Sequence, residues 1–453
     1  MATGVELPQK HTKISRDNSN INKIDEQDRA FHDWYRFVLS YPPHLVRGYI
    51  EDFGLNEESV ILDPFCGTGT TLVESKRQGI PSLGIEANPF AHFATSVKTD
   101  WRVDPDLLSS HSYAVAELAL NILRQQGIED SVPFAANVAD LPLRQLSAEQ
   151  NQLILAGSIS PLPLHKVLVL LECLEKYKIE KVYRHQLLAI AHTLVFAVSN
   201  LRFGPEVGVA KAKVDAPVIR AWLTKIAEMV EDLRRVQDQE DTPAHVYLAD
   251  ARGPDKVLPP QSIDAVITSP PYPNEKDYTR TTRLESVILG FIKTKADLQT
   301  LKKGLIRSNT RNVYKADDDD RWIQDHPKIQ AIAEVIERRR IQLGKTSGFE
   351  KRYSRVTKLY FGGMARHLAA LRSLLRPNAQ LAYVVGDQAS YLRVMIPTGE
   401  LLADIAQALG YELVRTDLFR TRFASATKEQ LREEVVILRW KGACSQFRQA
   451  EGR

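Results

Sequence analysis

Apolar positions along the chain follow two different patterns. "SVILDPF" is a short continuous apolar run that predicts a buried strand ending at Asp63. "GTGTTLVESKRQG" then predicts a glycine turn opening a helix, and "PSLGIEANPFA" a second strand ending at Glu86. From 101 to 235 the pattern changes. Leu, Ala and Ile recur at helical spacing in "LLSSHSYAVAELALNILRQQ", "HKVLVLLECLEKYK" and "YRHQLLAIAHTLVFAVSN", with a Gly/Pro/Lys loop at 201–218. Strand patterns resume in "AHVYLADAR", ending at Asp250, in "SIDAVITSPPY", and in "AQLAYVVGD", ending at Asp387. "TGELLADIAQALG" predicts a helix, and "YELVRTDLFR" with "EEVVILRW" a closing antiparallel pair. Strand, glycine turn, helix, strand opens a doubly wound α/β sheet, here interrupted twice.

The expected organisation follows these shifts. Residues 1–30 are polar and aperiodic, a flexible tail, and a short helix should follow Pro42–Pro43. The α/β core should comprise 31–100, 241–300 and 357–453, with a helical insertion at 101–240 and a basic insertion at 301–356. A chain of 453 residues suits two or three domains, or one large domain with insertions. Hydrophobic residues at 43% and charged residues at 26% exclude a fibrous or disordered chain. Cys66, Cys173 and Cys444 are too few for a disulfide framework or a cysteine-rich zinc site. His185 and His192 lack partners at ligand spacing, so no metal is expected. No signal peptide or long apolar run is evident, so a cytoplasmic location is expected.

Charge sharpens the picture only locally. The chain carries +4 overall, but residues 301–376 hold 18 Lys and Arg against 8 Asp and Glu. Such density, interleaved with Tyr314, Tyr353 and Tyr360, predicts phosphate contacts. The candidates are Arg311, Arg338, Arg339, Arg340, Lys351 and Arg352. The run Asp317–Asp320 is expected at an exposed loop tip that pairs with arginines when no nucleic acid is bound. Arg280 and Arg283 follow the Pro-rich turn, and for them DNA contact and a structural role stand level. Lys211 and Lys213 stand likewise between phosphate contact and a solvated loop.

Two sites carry the candidate chemistry. At Asp63–Thr71, Gly67 and Gly69 permit close approach of a ligand to the backbone at a helix start. Glu86 and Asp250 add acidic strand ends suited to ribose hydroxyls and a nucleobase amino group. At Thr268–Tyr272, two prolines leave carbonyls free of the strand ladder. Those carbonyls and the Ser269 hydroxyl can accept both hydrogens of an exocyclic amine, and Tyr272 offers a stacking face.

"SYPPHLV", "LDPFCGTGTT", "GIEANPFA", "LADAR", "TSPPY" and "YVVGD" together resemble the motifs of amino-group DNA methyltransferases that use S-adenosyl-L-methionine. The resemblance covers the scaffold and neither insertion. It implies a mostly parallel seven-stranded class I methyltransferase sheet. It implies that Tyr41, Asp63, Phe65, Gly67, Gly69, Thr70, Glu86, Asn88 and Asp250 bind the cofactor. Ser269, Pro270, Pro271 and Tyr272 would form the catalytic site, acting on a base flipped from double-stranded DNA. Cys66 is not needed as a nucleophile. The "TSPPY" form points to cytosine N4; adenine N6, then RNA methylation, then an inert nucleic-acid-binding module are the alternatives. Recognition of the DNA sequence would fall to an insertion. The resemblance also implies association with the nucleoid; a partner restriction enzyme and the oligomeric state remain open.

Overall fold

Strand β1 (Ile61–Asp63) is buried at all three positions, as a central strand covered on both faces must be. The computed structural model describes residues 25–37, 40–131, 141–204, 207–236, 240–274, 276–424 and 429–442. Its further strands are β2 (Ser82–Glu86), β3 (Leu201–Arg202), β4 (Gly208–Val209), β5 (Ala244–Leu248), β6 (Ile263–Thr268), β7 (Leu375–Gly386), β8 (Glu412–Ala424) and β9 (Glu429–Trp440). Seven of them form one sheet in the order β5-β2-β1-β6-β7-β9-β8, and β3–β4 is a separate pair. From β5 to β7 every pairing is parallel. Only β9 runs against its neighbours. The expected doubly wound, mostly parallel seven-stranded sheet is therefore present. Chain order reverses at β1, between β2 and β6, where a crevice opens outside the strand ends.

The helices begin where local chemistry starts them. Helix α1 (Pro43–Asp52) carries proline at its first position. Helix α2 (Thr70–Arg77) begins at Gly69, and helix α3 (Pro89–Lys98) is capped by the Asn88 side chain.

Three expectations about organisation are corrected. Residues 1–24 lie outside the described residues, but 25–30 are no loose tail: Asp28 is buried and pairs with Arg47 at 2.9 Å. The helical region is not a separate subdomain. One apolar cluster joins Phe31, Trp34 and Tyr35, α3 residues Phe90 and Phe93, Trp222 of the helix Val218–Arg234, and Leu284 after the Pro-rich turn. The basic segment likewise shares a core with the sheet, through Ile306, Ile323, Ile329 and Ile336 packed with Tyr360, Leu381 and Tyr383.

Asp317–Asp320 is not a free loop tip. Asp319 is buried and pairs with Arg252 at 2.6 Å and Arg366 at 3.1 Å, while Asp317 pairs with Arg307 at 2.8 Å. The buried arginines need these carboxylates. Gly362 and Gly363 lie inside the helix Tyr353–Leu371, where glycine costs about 1 kcal/mol each relative to alanine. Gly362 is required there because an added Cβ would fall 2.0 Å from the Asp319 carbonyl oxygen.

Candidate active site

Outside the ends of β1, β2 and β6 lies a cavity of about 350 Å³. One half is built by the glycine turn. Gly67 and Gly69 have φ of 52° and 83°, in the left-handed region. A Cβ on Gly69 would stand 2.6 Å from Thr95 Cγ2, so Thr95 can press on the turn and donate to the Gly67 carbonyl at 2.7 Å. Lys98, fully buried on α3, donates to the Thr68 carbonyl at 2.6 Å and the Tyr35 carbonyl at 3.2 Å. Burial brings its ammonium down to about 7.

Glu86 closes the turn. Its carboxylate accepts from the Gly67 N–H at 2.9 Å and the Asn88 N–H at 2.7 Å. Burial raises it to about 7 despite those two bonds. Asn88 lines the cavity while its Oδ1 caps α3 and its Nδ2 donates to Thr282 at 3.1 Å. Tyr41, Phe65, Gly67, Thr70 and Asp250 also line the cavity.

Two residues of the expected cofactor set stand elsewhere. Gly69 supports the turn from behind. Asp63 is fully buried, accepting from Thr268 at 2.6 Å, Tyr41 at 2.9 Å and the Phe65 N–H at 3.1 Å. It ties the first strand end to the Pro-rich turn and to the segment before α1, and does not face the cavity. Asp250 does line it, held by Arg252 through Nε at 3.0 Å and a second guanidinium nitrogen at 2.6 Å.

The other half is the Pro-rich turn after β6. Ser269, Pro270, Pro271 and Tyr272 all line the cavity. The Ser269 hydroxyl donates to the Val384 carbonyl at 3.3 Å, which leaves its oxygen lone pairs as acceptors. The Tyr272 N–H donates to the Tyr278 hydroxyl at 3.3 Å. The Tyr272 ring lies over Gly386, where an added Cβ would stand 3.0 Å from Tyr272 Cε2. Burial and then the Glu433 carboxylate push its phenol up.

Sequence reasoning missed several wall residues. Phe196 and Phe203 reach the cavity from the helical region, Phe196 from a π-helical turn, Thr193–Val198. Wide turns of this kind recur at functional sites, but nothing in the residue pattern marks one. Lys276, Arg420, Arg422 and Glu433 also line it.

None of the expected DNA-contacting arginines and lysines lines the cavity. Arg311, Arg338, Lys351 and Arg352 are exposed, and Arg311 lies 5.7 Å from the Phe349 ring. Arg339 is half-buried, and Arg340 pairs with Glu337 at 2.6 Å. Arg280 is half-buried. Arg283 is corrected to a structural residue: it donates inward to the Thr279 carbonyl at 3.2 Å and the Leu153 carbonyl at 3.4 Å. Lys213 turns back on the Ala197 carbonyl at 2.8 Å. Among the described residues no His/Cys/Asp/Glu group could hold a metal, and no helix is long and apolar enough to cross a membrane.

The cavity fits a nucleoside with a cationic sulfur. Its glycine half offers a backbone turn, two carboxylates and the Thr68 hydroxyl, which lines the wall without a hydrogen-bond partner. Residues 9–95 match the DNA methylase family of N6/N4 type. Type II methyltransferase M.BsoBI of Geobacillus stearothermophilus is 24% identical, over 91% of this chain and 85% of its own. Type II methyltransferase M.AvaI of Nostoc sp. is also 24% identical, over 89% and 83%. A solved structure, TrmN from Thermus thermophilus, aligns over 91% of this chain and 52% of its own at 11% identity. Its TM-score of 0.28 is too low to bear on the fold, which rests on the strand order. By the family match at residues 9–95 and by these two relatives along most of its length, the chain is similar to amino-group DNA methyltransferases. Enzymes of this class depend on S-adenosyl-L-methionine.

Proposed function

We propose that the chain methylates the exocyclic N4 of a cytosine flipped from double-stranded DNA, within a Type II modification system. The observation carrying this reading is the Ser269 hydroxyl. It sits on the cavity wall beside the glycine turn, with its own hydrogen committed to Val384. An acceptor so oriented suits an amine that arrives with two hydrogens. The double relationship to Type II enzymes supports the wider setting.

The cofactor, when bound, supplies an electrophilic methyl group. Tyr41, Phe65, Gly67, Thr68 and Thr70 would enclose its amino-acid end. Glu86 and Asn88 would hold the ribose, and Asp250 the adenine amine. Asp63 and Gly69 act from behind, keeping Tyr41, Thr268 and the turn in place. In the target half, the Ser269 oxygen and the Pro270 carbonyl accept the two amine hydrogens, which draws the nitrogen toward tetrahedral geometry and exposes its lone pair. Tyr272 holds the base plane by stacking, and Pro271 stiffens the turn. The nitrogen gains the methyl and releases one proton. Cys66 is buried and its thiol is pushed well up by burial, so it offers no thiolate.

The test is a nucleoside digest of unmethylated genomic DNA after incubation with the protein and S-adenosyl-L-methionine. N4-methylcytosine is the expected product. N6-methyladenine would overturn the base assignment, and transfer to RNA alone would overturn DNA as substrate.

A further inference from the structure

The expected phosphate contacts were on residues 301–356, yet the cations that reach the cavity come from elsewhere. Arg420 and Arg422 project from β8, and Lys276 from the loop after the Pro-rich turn. All three line the target half. Glu433, on the facing strand β9, gathers the arginines: it pairs with Arg420 and, at 2.8 Å, with Arg422. It is itself 5% exposed. Its stem and the Tyr272 ring share one seat, because a Cβ at Gly386 would lie 3.1 Å from Glu433 Cγ and 3.0 Å from Tyr272 Cε2. The arginines are therefore fixed relative to the ring on which the target base would stack. Burial, Arg422 and then Glu433 all act on the Lys276 ammonium, with a net downward shift.

Three cations against one carboxylate make this half electropositive; the other half carries Glu86, Asp250 held by Arg252, and a further cation, Arg36, on the wall beside Phe37. A flipped nucleotide brings a phosphodiester on each side of its sugar. We propose that Arg420 and Arg422 hold the backbone phosphates flanking the flipped nucleotide, with Glu433 as the positioning residue that presents them. This rests on the DNA methyltransferase reading. In free protein Arg420 donates to Glu433, while the Arg422 Nε lies 2.8 Å from the carboxylate without a hydrogen bond; on DNA the phosphates engage both guanidinium groups, and the carboxylate keeps their spacing relative to Tyr272.

Two experiments test this. In the first, binding of a DNA duplex with a central mismatch, whose unpaired base leaves the stack at least cost, is measured against potassium chloride. Removing two phosphate contacts in the double variant R420A/R422A should flatten the log–log slope by about 2. The double variant R420K/R422K should retain the slope, since charge is kept. In the second, methyl transfer to unmethylated genomic DNA at limiting DNA should fall at least tenfold in R420A/R422A. Affinity for S-adenosyl-L-methionine, measured by calorimetry, should stay within twofold and report that the variant is folded. E433Q should lower kcat more than it changes duplex affinity. An unchanged slope in R420A/R422A overturns the inference. So does an equal loss in the lysine variant, which would mean that packing rather than charge matters. Absence of transfer by the unaltered protein would instead overturn the functional reading, while the duplex slopes still decide the phosphate contacts.

Discussion

The two halves of the cavity are built differently. The cofactor half comes from neighbouring segments: Tyr41, the turn at 63–71, and Glu86 with Asn88 lie within about fifty residues, and Asp250 joins from the next strand of the sheet. The target half gathers Ser269 to Tyr272, Lys276, Val384, and Arg420, Arg422 and Glu433, spread over more than 160 residues. The first half is a local motif held by backbone geometry. The second is a tertiary product, assembled only when β7, β8 and β9 pair. A local motif can be read from residue types; a tertiary product cannot, because its members carry no mutual spacing.

If the halves work separately, substitutions should divide into those that alter turnover and those that alter cofactor affinity. Ser269→Ala should give the largest effect, a fall in kcat of about 100-fold, because it removes an acceptor needed as the nitrogen changes shape. Its cofactor affinity, read by calorimetry, should be unchanged; a matching loss there would merge the halves. Tyr272→Ala should lower kcat/KM for DNA by about 1–3 kcal/mol, the range of base stacking, in initial-rate assays.

On the other side, Glu86→Gln should weaken cofactor binding roughly tenfold near pH 8, the loss expected for a hydrogen bond to a charged group. The sign of its pH dependence sharpens the assignment. Glu86 is raised to about 7, so it is protonated in the free protein at lower pH. Cofactor affinity should strengthen as pH rises to about 7 and level off above it, while the Gln variant stays flat. The same shift opposes folding, since ionising this buried group above its unfolded value costs stability as pH rises toward about 7. The smallest effect should follow replacement of Arg338, Arg339 and Arg340 by alanine. These lie outside the cavity, so limiting-DNA rates should change less than in R420A/R422A, and a larger change would move the main DNA contact to the basic segment.

How far the sequence was legible follows the same division. Strand ends at Glu86 and Thr268, and the glycine turn, were evident because burial and backbone constraint force particular residue types there. The hairpin was foreseen only to Arg420 on its first strand and from Glu433 on its second. Both strands run further, to Ala424 and from Glu429. Beyond the core the alternation fades: Leu418 and Phe423 are exposed while Glu433 is buried. The apolar rule that identifies a half-buried strand thus fails where the hairpin overhangs the cavity. Charge density at 301–376 likewise does not say what each cation touches. Part of it serves internal pairing, as in Arg307–Asp317, Arg340–Glu337 and Arg366–Asp319, which residue counting cannot distinguish from a solvated face.

That internal pairing limits how the segment could be exchanged. Arg252 bridges Asp250 in the cavity wall to Asp319 in the basic segment, and Gly362 lets the Asp319 backbone lie directly on its helix. A foreign segment spliced between β6 and β7 would leave Arg252 buried without its Asp319 partner, a defect of about 1.5–3 kcal/mol, the range of a lost hydrogen bond to a charged group. Swapping specificity in this enzyme therefore requires transplanting Asp319 and its turn together with whatever reads the DNA.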